Sequence, residues 1–253
     1  MNPAWLAVPG ALALGAGTAA WGAFHPGSQL FGPTLRHTPR ANDIALTFDD
    51  GPNPAVTPRL LDLLDRYSAR ATFFVIGRFV RECPDLAREI FARGHALGNH
   101  TDTHPALTFL SVRRIEEELS RCSDAIARAV SSGDVAAPAA PPLWMRPPYG
   151  FRGPQLRGAV RRAGLRGVAM WSVIGYDWKP QPPQQLIARL ARVGQSGRFG
   201  GDIVLLHDGD HRALNGDRAH VVAALEHWLP RWRDADREFV TINALGETAH
   251  ASP

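Results

Sequence analysis

From Asp43 to about residue 245 the chain alternates short apolar runs with stretches of helical periodicity, and this rhythm restricts its fold more than any other feature. The runs at residues 44–48, 71–76, 96–99, 143–145, 168–174, 203–206 and 239–242 are continuous and apolar, as strands covered on both faces are. Between them, residues 58–67 place Leu60, Leu61, Leu63 and Leu64 on one helical stripe, and residues 83–93 end at Gly94, a residue suited to a helix C-terminus. Residues 111–130, 184–193 and 218–233 read as further helices. Strand–helix alternation builds parallel βαβ units, so the expectation is an α/β fold with about seven parallel strands, as an open sheet or a barrel. Both architectures gather working residues at the carboxyl ends of their strands. Asp49 and Asp50, His100, Arg146, Asp177 and His207 each follow a run of this kind.

The residues before this region are of another kind. Residues 4–24 carry no charged side chain, are long enough to span a bilayer core, and have Trp5 and Trp21 near their ends. They read as a membrane anchor or a secretory signal, with a buried N-terminal helix as the third reading; the basic residue that a signal peptide carries ahead of its apolar stretch is missing. Residues 25–42, rich in proline and glycine, read as a linker to a single domain over residues 43–248. Arg36 and Arg40 follow the apolar stretch and would favour a cytoplasmic domain by the positive-inside rule, against the extracytoplasmic, membrane-anchored or secreted placement that the chemistry below requires.

Composition excludes several classes. The 253 residues are 45% hydrophobic and 21% charged, which is ordinary for a globular protein. Two cysteines, Cys83 and Cys122, make neither a disulfide scaffold nor a cysteine-based zinc module, and read as free thiols. The pI near 9.7 arises because all but one of the 28 basic side chains are arginine, Lys179 being the exception. These arginines are spread along helices with no aromatic-interleaved basic run, so no nucleic-acid partner is expected; a cationic surface would suit an anionic wall polymer or lipid headgroups.

The chemistry centres on His100-Thr101-Asp102-Thr103-His104. Two histidines at i and i+4 on one helical turn can reach one ion, and a histidine pair with one carboxylate is a common catalytic site for zinc or a related divalent ion. The carboxylate would come from Asp49-Asp50, whose side chains at a strand end point to opposite sides and so would divide their work between metal and proton.

The chain resembles the polysaccharide deacetylases of the NodB-homology type, carbohydrate esterase family 4. The resemblance rests on five motifs in order over residues 43–245: Thr47-Phe48-Asp49-Asp50-Gly51-Pro52, His100-Thr101-Asp102-Thr103-His104, Arg146-Pro147-Pro148-Tyr149, Asp177-Trp178 and Leu205-Leu206-His207. It implies a distorted (β/α) barrel with a single catalytic domain, and a divalent metal, zinc foremost with cobalt, nickel or manganese as alternatives, held by Asp50, His100 and His104. It implies Asp49 as the base that takes a proton from the attacking water, Arg146 fixing Asp49, and His207 as the acid that protonates the leaving amine. Asp177 would tune its neighbours, the Tyr149 backbone N–H with Pro148 would serve the oxyanion and substrate, and Trp178 and Leu205 would form apolar walls. The implied reaction removes N-acetyl groups from a peptidoglycan- or chitin-type glycan; the same site could serve an O-acetyl ester of xylan or a small amide, and a glycan-binding domain without activity is the reading from another class. One motif departs from the family, since Ile174 stands where an aspartate usually precedes the Asp177 position by three residues. His95, His211, His220, His227 and His250 match no motif and read as surface or satisfied histidines, and Trp228 and Trp232 as core anchors. The oligomeric state is left open.

Overall fold

A computed structural model describes residues 17, 18, 20–131, 143–195, 197 and 199–246. The rest of the apolar stretch, the proline-rich loop over residues 132–142 and His250 lie outside the described residues.

Ten strands among the described residues form one sheet: β1 (Thr34–Leu35), β2 (His37–Thr38), β3 (Asp43–Gly51), β4 (Ala71–Val75), β5 (Ala96–Asn99), β6 (Trp144–Met145), β7 (Gly167–Ala169), β8 (Val173–Ile174), β9 (Gly201–His207) and β10 (Glu238–Phe239). The order is β1-β7-β6-β5-β4-β3-β9-β2, with β8 beside β9 and β10 beside β3. Every pairing is parallel except β2 with β9. The chain crosses the seam between the two ends of this order twice. A single residue, Arg36, separates β1 from β2, and residues 170–172 separate β7 from β8. Beside the seam the Met170 N–H continues the β7–β1 ladder to the Leu35 carbonyl (2.8 Å), the Ser172 N–H continues the β8–β9 ladder to the Ile203 carbonyl (3.0 Å), and Arg36 Nε joins the two crossing segments at the Trp171 carbonyl (3.2 Å). The sheet is thereby a nearly closed barrel of one domain.

Two expectations are corrected here. Residues 25–42 are not only a linker, because β1 and β2 lie within them and help close the barrel. The apolar run 168–174 is not one strand: its first half pairs with β1 and β6 and its second with β9, since the chain bends inward at 170–172 to cross the seam. Two helices of six and seven residues, Gly77–Glu82 and Leu156–Arg162, are too short to stand out in the sequence pattern.

Strand alternation sorts the core. Ile44, Leu46 and Phe48 of β3 pack outward with Leu60, Leu61 and Leu64 of the helix Thr57–Arg66 and with Val221 and Leu225 of the helix Ala219–Asp234. Ala45 faces the interior cluster with Phe74, Met145, Ile203 and Leu205. Thr47 and Asp49 share the parity of Ala45, which places a hydroxyl and a carboxylate inside the barrel. Each fully buried leucine of the outer layer contributes about 1.5–3 kcal/mol by its removal from water.

Candidate active site and metal centre

Asp49 and Asp50 end β3, and both face the same centre. The pairing of β3 with β4 slips between Asp49 and Gly51, and Asp50 takes a left-handed backbone conformation (φ 71°). This bulge breaks the alternation that would have sent adjacent side chains to opposite sides. Asp49 Oδ2 lies 3.8 Å from His100 Nε2, and Asp50 Oδ1 lies 3.4 Å from the same nitrogen. The bulge depends on two glycines. A Cβ at Gly51 would fall 2.3 Å from the Asp208 carboxylate, and one at Gly209 would fall 2.0 Å from the Asp50 carbonyl.

The His100–His104 segment is not the helical turn expected. It leaves β5 as a bent loop with left-handed residues at Thr101 (φ 68°) and His104 (φ 62°). The buried Glu118, on the helix Val112–Ser131, accepts the backbone N–H groups of Asp102 (3.1 Å) and Thr103 (2.8 Å) and the Thr103 hydroxyl, and pairs with Arg114. Asn99 Oδ1 accepts Thr101 N–H (2.9 Å), Thr101 Oγ1 accepts His104 N–H (3.0 Å), and Arg81 pairs with Asp102 (2.6 Å). These bonds replace the helical ladder and bring the imidazoles to 4.9 Å between centroids.

Asp50, His100 and His104 are all buried, and one ligand atom from each lies within 4.8 Å of the others. His104 Nε2 sits 3.2 Å from Asp50 Oδ1, while Asp50 Oδ1 and His104 Nδ1 are buried with no hydrogen-bond partner. His100 Nδ1 faces the Arg146 carbonyl at 2.7 Å; donation there leaves Nε2 as a free lone pair toward Asp50. Burial and the neighbouring His100 push the His104 pKa down to about 3, so its imidazole is neutral. Burial opposes ionisation of Asp50, but the imidazoles of His100, His211 and His104 around it outweigh burial and hold its carboxyl well below the usual range. An ionised carboxylate, two imidazoles and orphaned buried acceptors suit a divalent ion of borderline softness.

Arg146 is fully buried beneath this triad. One terminal nitrogen donates to Asp49 Oδ1 (2.8 Å) and Thr47 Oγ1 (2.7 Å), the other to the Met170 carbonyl (3.0 Å), and Nε to the Ala169 carbonyl (3.2 Å). Its guanidinium also lies over the Phe74 ring at 4.2 Å. With these partners it needs no carboxylate at position 174. Ile174 instead forms part of an apolar cavity wall.

On the other side stands His207, at the end of β9. The fully buried Asp177 holds it with both oxygens, one 3.0 Å from Nδ1 and the other accepting the His207 backbone N–H at 2.7 Å. Burial disfavours the imidazolium, yet the Asp177 charge outweighs it and raises the His207 pKa to about 9. His220 is satisfied on the Asp177 carbonyl (3.0 Å).

Asp49, Asp50, His100, His104 and His207 line one cavity of about 460 Å³, with Arg146 and Asp177 buried behind them. Trp171, Trp178 and Leu205 supply its apolar walls, with Tyr149 at the rim. Pro148 is buried behind Tyr149, which adopts φ 59° and meets His104 edge-on at 4.7 Å. The structure thus brings together Asp49, Asp50, His100, His104, Arg146, Tyr149, Asp177, Trp178, Leu205 and His207. It adds His211, read from sequence as a surface or satisfied histidine. Its ring stacks on His104 at 4.3 Å, and its Nδ1 is 3.7 Å from Asp50 Oδ2. The signal for it was its place, four residues past His207 in the loop after a strand end. It also adds Asp208, buried against Gly51, which accepts the Thr57 hydroxyl and whose pKa burial raises to about 7.

The model of the polysaccharide deacetylase family matches residues 36–168. A chitooligosaccharide deacetylase of Azorhizobium caulinodans is 36% identical over 208 residues, covering 80% of this chain and 93% of the relative. A peptidoglycan-N-acetylglucosamine deacetylase of Bacillus cereus is 34% identical, covering 82% and 89%. Among solved structures, a peptidoglycan N-acetylglucosamine deacetylase superposes with a TM-score of 0.70 at 27% identity, over 84% of this chain and 91% of that one. A pseudoenzyme of carbohydrate esterase family 4 from Bacillus anthracis superposes with 0.68 at 25% identity, over 83% and 66%. A fold shared by enzymes and a pseudoenzyme leaves activity to be argued from the site.

Proposed function

The chain belongs to the polysaccharide deacetylase family, and from that membership we propose that it hydrolyses N-acetyl groups on a peptidoglycan- or chitin-type glycan with a divalent ion, zinc foremost. The observation that carries this reading is the pairing of opposed proton carriers across one buried ligand triad: Asp49 tied to Arg146 on one side, His207 tied to Asp177 on the other. Asp50, His100 and His104 would hold the ion. When bound, it polarises the acetyl carbonyl and lowers the pKa of water, which counters the weakness of an amide as electrophile and of water as nucleophile.

The chain's own residues supply the rest. Arg146 fixes one oxygen of Asp49, leaving Oδ2 to accept the proton of the attacking water. The backbone N–H of Tyr149 stabilises the oxyanion as the C–O bond forms. His207 enters the reaction protonated and gives its proton to the nitrogen as the C–N bond breaks, releasing acetate and a free amine. Trp178, Leu205 and Pro148 surround the acetyl methyl and sugar ring and exclude water. Acting on a wall or extracellular glycan, the domain works outside the cytoplasm, with residues 4–24 as its anchor or signal. The complete set of proton carriers and ligands favours an enzyme over a glycan-binding pseudoenzyme.

The test is acetate release from N-acetylglucosamine oligomers, peptidoglycan and acetylated xylan by the metal-loaded protein, with Asp49→Asn as control. Release from the N-acetylated substrates, lost in the control, is expected. Release confined to xylan, or equal release by the control, would overturn the reading.

A further inference from the structure

Several arginines on or next to the surface helices are matched by acids. Arg93 binds Asp62, Asp65 and Glu89, Arg113 and Arg114 bind Glu117, and Arg162 binds Glu116. One flank gathers four arginines around a single groove. A groove of about 230 Å³ between residues 31–34 and the helix Leu156–Arg162 is lined by Arg152, Arg157, Arg161 and Arg166, with no acidic side chain among its lining residues. Among the described residues, the exposed side chains of Arg157 and Arg161 have no ion-pair or hydrogen-bond partner. Arg152 is 2% exposed and donates to the Ser28 (2.7 Å) and His25 carbonyls, yet its Nε is buried with no partner. Four guanidinium groups around one groove with no acid among its lining residues leave positive charge uncompensated there, which favours an anion.

The surroundings of the groove select the kind of anion. Trp21, Phe24 and Leu30 are each about half exposed (52%, 48% and 51%). They are carried next to it, because Arg152 grips the carbonyls of residues 25 and 28, and Gly22 lies against Leu30 and Phe31, a groove-lining residue. The sequence leading into this face, residues 4–24, contains no charge. Unmatched arginines beside exposed aromatic and aliphatic side chains are the chemistry of an anionic bilayer surface, where phosphates meet the cations and the apolar groups enter the headgroup region. A soluble anion would have no use for the apolar rim. No residue of the groove lines the catalytic cavity.

We propose that the groove of Arg152, Arg157, Arg161 and Arg166, with its rim of Trp21, Phe24 and Leu30, is a docking site for the phosphate headgroups of an anionic membrane. The barrel then lies on the bilayer by this flank, and the proposal stands or falls independently of the deacetylase reading.

The experiment is co-sedimentation of the full chain with vesicles of phosphatidylcholine alone, or of phosphatidylcholine and phosphatidylglycerol in equal parts. It uses wild type, the double variant Arg157→Gln/Arg161→Gln, and a control with the same change in charge, Arg59→Gln/Arg66→Gln, on the helix Thr57–Arg66. Wild type is expected to prefer the anionic vesicles. The groove variant should lose on the order of 20–30-fold of that preference, from about one factor of five per arginine. The control should keep its preference within about threefold, and added salt should weaken wild-type binding. Acetate release from a soluble substrate should be unchanged in the groove variant, since neither arginine touches the catalytic cavity. The proposal is overturned if the groove variant keeps the anionic preference, if the control loses as much, or if calorimetry with inorganic phosphate alone shows tight binding while the vesicles show no preference.

Discussion

Replacing Asp177 by Asn tests the acid side of the site most directly. Asn keeps the shape and can still accept the His207 backbone N–H, but it removes the negative charge beside Nδ1. The rise of the His207 pKa from the usual 6.5 to about 9 corresponds to about 3 kcal/mol in favour of the imidazolium. Without the Asp177 charge burial prevails, and the pKa should fall below 6.5. In metal-free protein, the His207 ring followed by NMR should titrate near pH 9 in wild type and below 6.5 in Asp177→Asn. The folded-state pKa is raised, so the pair's contribution to stability is complete below pH 6.5 and is lost as pH climbs from 6.5 through 9. Thermal unfolding should show that decline in wild type and not in the variant. In metal-loaded enzyme, acetate release at neutral pH should fall by about 10²–10⁴, because little acid remains to protonate the amine. An unchanged His207 titration in Asp177→Asn would refute the reasoning.

The other predictions follow from the same contacts. Glu118→Ala removes the acceptor of two loop N–H groups and should weaken metal affinity by roughly 10–100-fold, measured by competition with a chelating dye, since partners of this kind orient ligands. Arg146→Ala leaves Asp49 as a buried carboxylate without its cation and should cost about 3–5 kcal/mol in denaturant unfolding, as well as activity. Ile174→Asp restores the family's usual residue but sets a charge in an apolar wall, while Arg146 already has its partners. It should lower the melting temperature without raising kcat/KM, and a gain in kcat/KM would show that Arg146 lacks a partner. Asp208→Asn keeps an acceptor for the Thr57 hydroxyl. Because burial lifts the Asp208 pKa from the usual 3.8 to about 7, wild type loses stability as pH rises from 3.8 through 7; the variant should melt higher at pH 8 and little differently at pH 4.

The parallel α/β layout was legible in the sequence because its central strands are buried on both faces and so read as apolar runs, while the choice of a barrel over an open sheet came from the family resemblance. Its closure was not. β1 and β2 have two residues each, inside a segment whose prolines and glycines signal a linker, and they earn their place only by pairing with β7 and β9, more than a hundred residues away. Nothing local in residues 34–38 encodes that partnership. The split of 168–174 has the same origin, because an apolar run does not record which neighbour each half will meet.

The site divides along the same line, and the division explains why short motifs locate it while misjudging its shape. A motif names residues that must converge, but periodicity supplies the wrong geometry for them: alternation separates Asp49 from Asp50, and a helical turn aligns His100 with His104. The structure reaches convergence by breaking both rules, with a bulge at Asp50 and a loop clamped by Glu118. Asp50 adopts a left-handed backbone that aspartate accepts more readily than most non-glycine residues. Gly51 and Gly209 let the ends of β3 and β9 come together, and Asp208 fills the space that a Cβ at Gly51 would take. The short motif Asp49-Asp50-Gly51 therefore encodes backbone geometry as well as chemistry. His211 escaped notice for the converse reason. It reaches the triad through the path of the loop after β9, stacked on His104 and held by the contact of its carbonyl with Arg78, and none of those partners is near it in sequence.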